Sequence, residues 1–180
     1  MKKSLILVVL MVIFTHVSFC QSVKFGIKAG LNYSNVTGSE LKTEAITSYH
    51  TGLVSEIKLT DGFALQPELL YSTQGATYKT AVEDFKNELG YITIPVILKI
   101  NLSENLSLEL GPQAGFLLSE KNKFDTNKSN TFDFTANAGL ELKVTDSLFI
   151  QARYGLGLTE VKTDSEIKNS VVQLSLGIFF

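Results

Sequence analysis

VVQLSLGIFF, Val171 to Phe180, ends the chain as a strand of period two. Val172, Leu174, Leu176, Ile178 and Phe180 share one face, and Gln173, Ser175 and Gly177 lie on the other. One side is apolar and the other small or polar, as in a strand with core or lipid on one side only. Two architectures suit it: the last strand of a soluble sandwich, or a strand that pairs with the first strand of its own sheet and closes it. Closure is what a membrane-spanning sheet requires, because each orphan backbone amide in hydrocarbon carries a heavy cost.

The amino end sets the compartment. Lys2 and Lys3 precede an apolar run from Leu5 to Val17, shorter than the roughly 20 residues a spanning helix needs. Ser18-Phe19-Cys20 then reads as a signal-peptidase site, giving a leader over residues 1–20 and one domain over 21–180. An inner-membrane anchor and a lipidated Cys20 are the alternatives, the second weakened by the bulk of Phe19. Cleavage before Gln21 leaves no cysteine and so no disulfide or thiolate site. The net charge is −2, and loss of two lysines with the leader makes the remainder more acidic, which excludes a nucleic-acid footprint. After Val17 the sequence has no helical membrane span, so any further membrane entry is by strands.

Alternation like that of the last strand recurs along the chain. Phe25, Ile27, Ala29, Leu31 and Tyr33 oppose Lys24, Gly26, Lys28, Gly30 and Asn32. Later runs oppose Leu53 and Ile57 to His50, Gly52, Glu56 and Lys58, then Leu65, Pro67 and Leu69 to Gln66, Glu68 and Ser72. They continue with Ile92, Ile94 and Val96 against Tyr91, Thr93 and Lys99, and with Leu108 and Leu110 against Glu109 and Gly111. Ala138, Leu140 and Leu142 oppose Gly139, Glu141 and Lys143, and Ile150, Ala152 and Tyr154 oppose Gln151, Arg153 and Gly155. Eight strands result, with tight turns at Thr60–Gly62, Asn101–Asn105 and Thr145–Ser147. Long polar connections are expected at Asn35–Ser48, Gly75–Glu88, Ser119–Thr131 and Thr159–Asn169. Asp61-Gly62 between two alternating runs is a hairpin signal. Short turns at one end and long loops at the other suit an outer-membrane barrel with both termini periplasmic.

A soluble barrel with its apolar face inward has the same alternation, and the aromatics separate the two. Phe25, Phe63 and Phe180 fall at the short-turn ends of the apolar faces. Tyr33, Tyr49, Tyr71, Phe116, Phe132, Phe134 and Tyr154 fall at the long-loop ends, with aliphatic residues between. Two aromatic girdles around an aliphatic band are the mark of a bilayer's two interfaces. Nine of the 13 glycines lie on the polar face, where the side chains of a narrow barrel converge. The expected fold is an all-β, eight-stranded antiparallel up-and-down transmembrane β-barrel.

Three stretches also resemble a known family. Gln66-Pro-Glu-Leu-Leu-Tyr-Ser72, Tyr91-Ile-Thr-Ile-Pro-Val-Ile-Leu-Lys99 and Gly111-Pro-Gln-Ala-Gly115 are similar to strand motifs of the PorT-like outer-membrane β-barrel domains of Gram-negative bacteria. The resemblance covers essentially all of 21–180. It implies a small barrel with no catalytic residues or cofactor to carry over, and, as an alternative function, an accessory of a protein-secretion apparatus. Gly177 and Phe180 take the place of the carboxyl-terminal assembly signal, with Ile178 where such signals commonly carry an aromatic.

The polar face carries Lys24, Lys28, Lys58, Lys99, Lys143 and Arg153 against Glu56, Glu68, Glu109, Asp133 and Glu141. One reading is an ion path. The other is a salt-bridged plug, since the interior of eight strands is just wide enough for side chains to fill and buried charges persist only when paired. The plug is the expectation, built from Lys28, Glu56, Lys58, Glu68, Lys99, Glu109, Glu141, Lys143 and Arg153. His50 reads as a rim histidine, the alternative being the general base of a lipid-modifying enzyme. The expected partners are outer-membrane lipid, the barrel-assembly machinery during insertion, and a secretion-system or extracellular partner at the loops. No nucleic acid, metal or cofactor is expected.

Overall fold

The computed structural model describes residues 22–37, 43–79, 84–121, 130–159 and 168–180; the expected leader over residues 1–20 lies outside them. Eight strands follow one another: β1 Val23–Thr37, β2 Thr43–Lys58, β3 Phe63–Lys79, β4 Asp84–Asn101, β5 Leu106–Lys121, β6 Phe132–Lys143, β7 Leu148–Gly157 and β8 Lys168–Phe179. Each pairs antiparallel with its neighbours and β8 returns to β1, closing an up-and-down barrel. The closing seam runs from Gly26 opposite Phe179 to Thr37 opposite Lys168.

The barrel is inside out compared with a soluble one. Leu31, Leu53 and Leu174 are 58%, 58% and 57% exposed, while Gln66, Lys99 and Glu141 are wholly buried. An apolar band of this extent on the outer wall is a surface for lipid, not water. Phe25, Phe63 and Phe180 are exposed at the turn end, and Tyr33, Tyr49, Phe116, Phe132, Phe134 and Tyr154 at the loop end. The loop-end girdle is partly stacked: the Tyr49 and Tyr71 rings lie 6.1 Å apart and those of Phe116 and Phe132 5.6 Å apart.

The three tight turns share one device. Phe63, Leu106 and Leu148 each donate their backbone N–H to a hydroxyl three residues earlier, on Thr60 at 3.1 Å, Ser103 at 3.1 Å and Thr145 at 2.9 Å. The hydroxyl takes up an amide that the end of the strand would leave unpaired. The Asp61-Gly62 turn needs no left-handed glycine, for Gly75 is the glycine of positive φ among the described residues.

The loop end departs from expectation. Two of the long connections hold more strand than expected: β1 runs to Thr37, β2 starts at Thr43, and β3 and β4 stay paired as far as Lys79 opposite Asp84. β5 likewise reaches Lys121, still paired with Glu88 of β4. Above the lipid band both faces of a strand meet polar surroundings, so the alternation fades while the backbone ladder continues. Periodicity measures the environment of the side chains and is blind to pairing where the two environments are alike.

A packed polar lumen as the candidate functional site

The inward side chains build the lumen in layers. In the middle, Lys28 on β1, Glu68 on β3, Glu109 on β5 and Arg153 on β7 come from alternate strands. Glycines stand beside them on even strands: Gly52 opposite Lys28, and Gly139 opposite both Glu109 and Arg153. A Cβ on Gly139 would lie 2.6 Å from the Ala152 O, 3.0 Å from the Arg153 Cα and 3.2 Å from its Cβ, so a residue larger than glycine does not fit beside Arg153 there.

These four residues and Gln151 close a ring of charge-assisted hydrogen bonds. Arg153 grips Glu68 with two donors, Nη1 at 3.1 Å and Nη2 at 2.8 Å, and reaches Glu109 through Nε at 3.3 Å and Nη2 at 3.1 Å. Gln151 Nε2 donates to the other Glu109 oxygen at 2.6 Å, and Lys28 Nζ donates to Gln151 Oε1 at 2.6 Å. Lys28 completes the circuit on Glu68 at 2.8 Å, and Gln66 Nε2 adds a further donor there at 2.9 Å. Two cations and two carboxylates balance. A buried charged network of this kind persists because each charge has a partner and its lone pairs are met.

Towards the turn end Lys99 is bound between Glu56 and Glu141. Its Nζ also lies 5.8 Å from the centroid of the Phe179 ring, within cation–π range. An apolar floor of Val54, Phe149 and Phe179 sits here, the two rings 4.8 Å apart. Sequence reading missed this floor, since apolar residues on a polar face look like noise. The signal that marks it is Gly177 directly opposite Phe149: a Cβ on Gly177 would lie 2.1 Å from the Phe149 Cζ.

Towards the loop end the charges thin out into amides and hydroxyls. His50 is not at a rim but 1% exposed inside the lumen, because β2 runs on for seven residues beyond it. Its Nδ1 lies 2.7 Å from Asn32 Oδ1 and its Nε2 2.8 Å from Ser175 Oγ. Serine, histidine and asparagine in that order are the contacts of a nucleophile, its base and an orienting group. Here they are packed: Ser175 is 3% exposed and Asn32 Nδ2 is held by Ser72 Oγ at 3.0 Å and Thr73 O at 2.7 Å. Gln74, Gln113, Asn137 and Gln173 surround a gap of about 10 Å³, room for one water at most. Asp133 accepts from Thr135 Oγ1 at 2.8 Å and Thr159 Oγ1 at 3.2 Å, with no cation beside it among the described residues.

Of the nine residues expected in the plug, Lys28, Glu56, Glu68, Lys99, Glu109, Glu141 and Arg153 meet in the ring and the Lys99 cluster. Lys143 is half-buried at the turn-end rim. Lys58 is not in the lumen: its side chain is 51% exposed and pairs with Asp61 at 2.7 Å. It occupies the last rung of β2, opposite Ala64, where a long side chain leaves the barrel for water. Its hydrogen bond and charge hold the Asp61 carboxyl below the usual range. Phe180 is 81% exposed, anchored by its N–H to Phe25 O at 2.8 Å.

Solved structures with this architecture include the attachment invasion locus protein Ail of Yersinia pestis, 15% identical, with a TM-score of 0.58 over 87% of this chain and 98% of that one. Neisserial surface protein A is 12% identical, with a TM-score of 0.59 over 88% and 99%. OprG of Pseudomonas aeruginosa is 11% identical, with a TM-score of 0.50 over 89% and 95%. At such identity the likeness speaks for the fold alone. No curated protein matches the sequence. A family model does, over residues 19–163, and with the lipid-facing wall and filled lumen already described, the chain belongs to the outer membrane protein beta-barrel domain family, small barrels of the bacterial outer membrane.

Proposed function

We propose that this protein is a closed, non-conducting barrel that holds its loop end outside the cell as a binding platform, with both termini and the three tight turns in the periplasm. The observation that carries this reading is the ring of Lys28, Glu68, Arg153, Glu109 and Gln151 across the middle of the lumen. A path for ions through it would have to unpair buried charges, and breaking one such pair costs about 3–5 kcal/mol. A rigid stalk of this kind leaves binding to the rim and loops. Ail, a structural neighbour, has been crystallised with the heparin analogue sucrose octasulfate, which makes polyanion binding at the loops one reading to test here. The PorT-like motifs favour a partner in a secretion apparatus, and Gly177 with Phe180 is the proposed signal read by the barrel-assembly machinery. Cleavage before Gln21 belongs to the same proposal.

The test is conductance in a planar bilayer. Purified wild-type protein is expected to show no steady channel, and a steady open pore of the monomer would move the function to passive transport. Pull-down from native outer membranes then separates a secretion partner from an extracellular one.

A further inference from the structure

Strand β2 breaks a rule that the rest of the wall keeps. Between the girdles β1 turns Ile27, Ala29 and Leu31 outward, and β8 turns Val172, Leu174, Leu176 and Ile178 outward. On β2 the outward residues between Tyr49 and Lys58 include two hydroxyls, the exposed Thr51 and the half-buried Ser55. Tyr49 belongs to the loop-end girdle and Lys58 reaches water, so both hydroxyls stand within the lipid band. Among the described residues no other strand turns a serine or threonine outward between the girdles.

The backbone ladder is also broken on this side. Pairing of β2 with β3 holds at Val54 opposite Glu68 and again, in the same register, at Ile57 opposite Leu65. The missing rungs begin at Ser55, because the residue across from it is Pro67, which has no N–H to give. The Ser55 carbonyl therefore loses its ladder donor beside its own hydroxyl. The chain's other two prolines leave like gaps in the next two seams, Pro95 across from Glu68 and Pro112 across from Val96. The five remaining seams pair without a break.

We infer that this face of β2 is where two copies of the barrel meet within the membrane. Lipid does not satisfy it. Acyl chains carry neither donor nor acceptor and head groups stay at the interface, whereas Thr51 and Ser55 lie about 13 Å apart along the strand inside the band. A partner has to bring hydrogen-bonding groups to that depth, which takes a protein that itself spans the membrane. A two-fold axis along the membrane normal sets the same patch of each copy face to face at one depth. A hydroxyl is donor and acceptor at once, so the patch is complementary to itself. Thr51 Oγ1 donates to the Lys28 carbonyl at 3.3 Å and keeps its lone pairs for the other copy, while a hydroxyl from that copy supplies the donor that Pro67 lacks. Ala29, short and directly opposite Thr51, lets the two walls approach, and Ile27, Leu31, Leu53 and Leu69, each about half exposed, give apolar area around them. The inference does not depend on whether the lumen conducts or on what the loops bind.

The experiment uses the full barrel, labelled at its amino terminus with donor or acceptor dye in separate batches and mixed in phosphatidylcholine vesicles. Energy transfer is expected to exceed that of randomly placed monomers and to fall on dilution with lipid. The double variant Thr51→Val with Ser55→Ala, which removes both hydroxyls and leaves the wall apolar, is expected to weaken association about tenfold, or about 1.4 kcal/mol. It takes polar groups out of lipid and so retains the fold, which heat-modifiable migration checks. Ala138→Trp, on the lipid face of β6 across the barrel, should leave association unchanged. Transfer no greater than that of random monomers in the wild type, or unchanged association of the folded double variant, would overturn the inference. The chain's one cysteine, Cys20, lies in the expected leader, so Thr51→Cys can be oxidised with copper phenanthroline in native outer membranes. A product of twice the barrel's mass is expected there, and cross-linking to a different protein alone would overturn the choice of a second copy.

Discussion

The two halves of this lumen solve the same problem by different means. From the middle to the turn end the interior is ionic: every buried lysine and arginine there lies against glutamates, over an apolar floor. Towards the loop end it is amide and hydroxyl, with one histidine, one aspartate and a gap for a single water. Ion pairs in a narrow barrel are strong only while complete, since removing one partner strands the other. Neutral amides tolerate loss better, because each carries both donors and acceptors and can re-pair. The ionic half is therefore the part that fixes the barrel's shape, and the neutral half is the part that is free to vary.

The sharpest way to break this contrast is Glu68→Ala, which leaves Lys28 without a carboxylate and Arg153 with Glu109 alone. It is expected to cost about 3–5 kcal/mol in urea unfolding followed by circular dichroism in micelles; tolerance of the change would mean that the ring is decoration. Next in size is the wall itself. Val96→Arg, at mid-band and 40% exposed, should cost about 2–4 kcal/mol in a bilayer, while Thr60→Arg, which removes only the exposed hydroxyl that accepts from the Phe63 N–H, should cost about 1 kcal/mol or less. Similar losses at the two sites would refute the lipid-facing assignment.

Gly177→Ala examines the floor. Its methyl would meet the buried Phe149 ring, and an overpacked site of this sort costs about 1–3 kcal/mol. Adding Phe149→Leu should recover most of the loss, and additive losses would show that the two residues do not share space. The smallest effects belong to the neutral half and the exterior. Asp133→Asn strands no cation and is expected to cost about 1 kcal/mol or less, and Lys58→Ala should be indistinguishable from wild type by the same measurement. A loss at Asp133 as large as that at Glu68 would erase the distinction between the halves.

Much of this was legible in the residues. Leu31 and Leu174 could be assigned outward, and Lys28 and Glu68 inward, because lipid and lumen are opposite environments and a period of two records the difference at every step. Near the loop end the contrast disappears, so the strand from Thr43 to Ser48 read as loop and His50 as a rim residue. Lys58 shows the same limit at the other end: parity says which face a residue is on but not whether the barrel still encloses it. Phe149 and Val54 were invisible for a further reason, since the floor they build depends on a glycine, Gly177, some 28 positions from Phe149 in sequence and adjacent only through the register. The pairings inside the charged ring depend on reach and hydrogen-bond direction, which periodicity does not encode.

The closing seam sets the order in which this protein can be made. Thr37 Oγ1 donates to Lys168 O across 131 residues of sequence, and no shorter contact can substitute for the β1–β8 ladder. Until the last strand has arrived, β1 has one open edge and Lys28 lacks Gln151. Until that closure the future lipid-facing wall, Leu31 and Leu174 among it, has no closed barrel behind it. Folding of so non-local a sheet is slow, and an open edge in that interval invites pairing with another chain. A chain cut short before β8 would be expected to aggregate or be degraded, however sound its first seven strands.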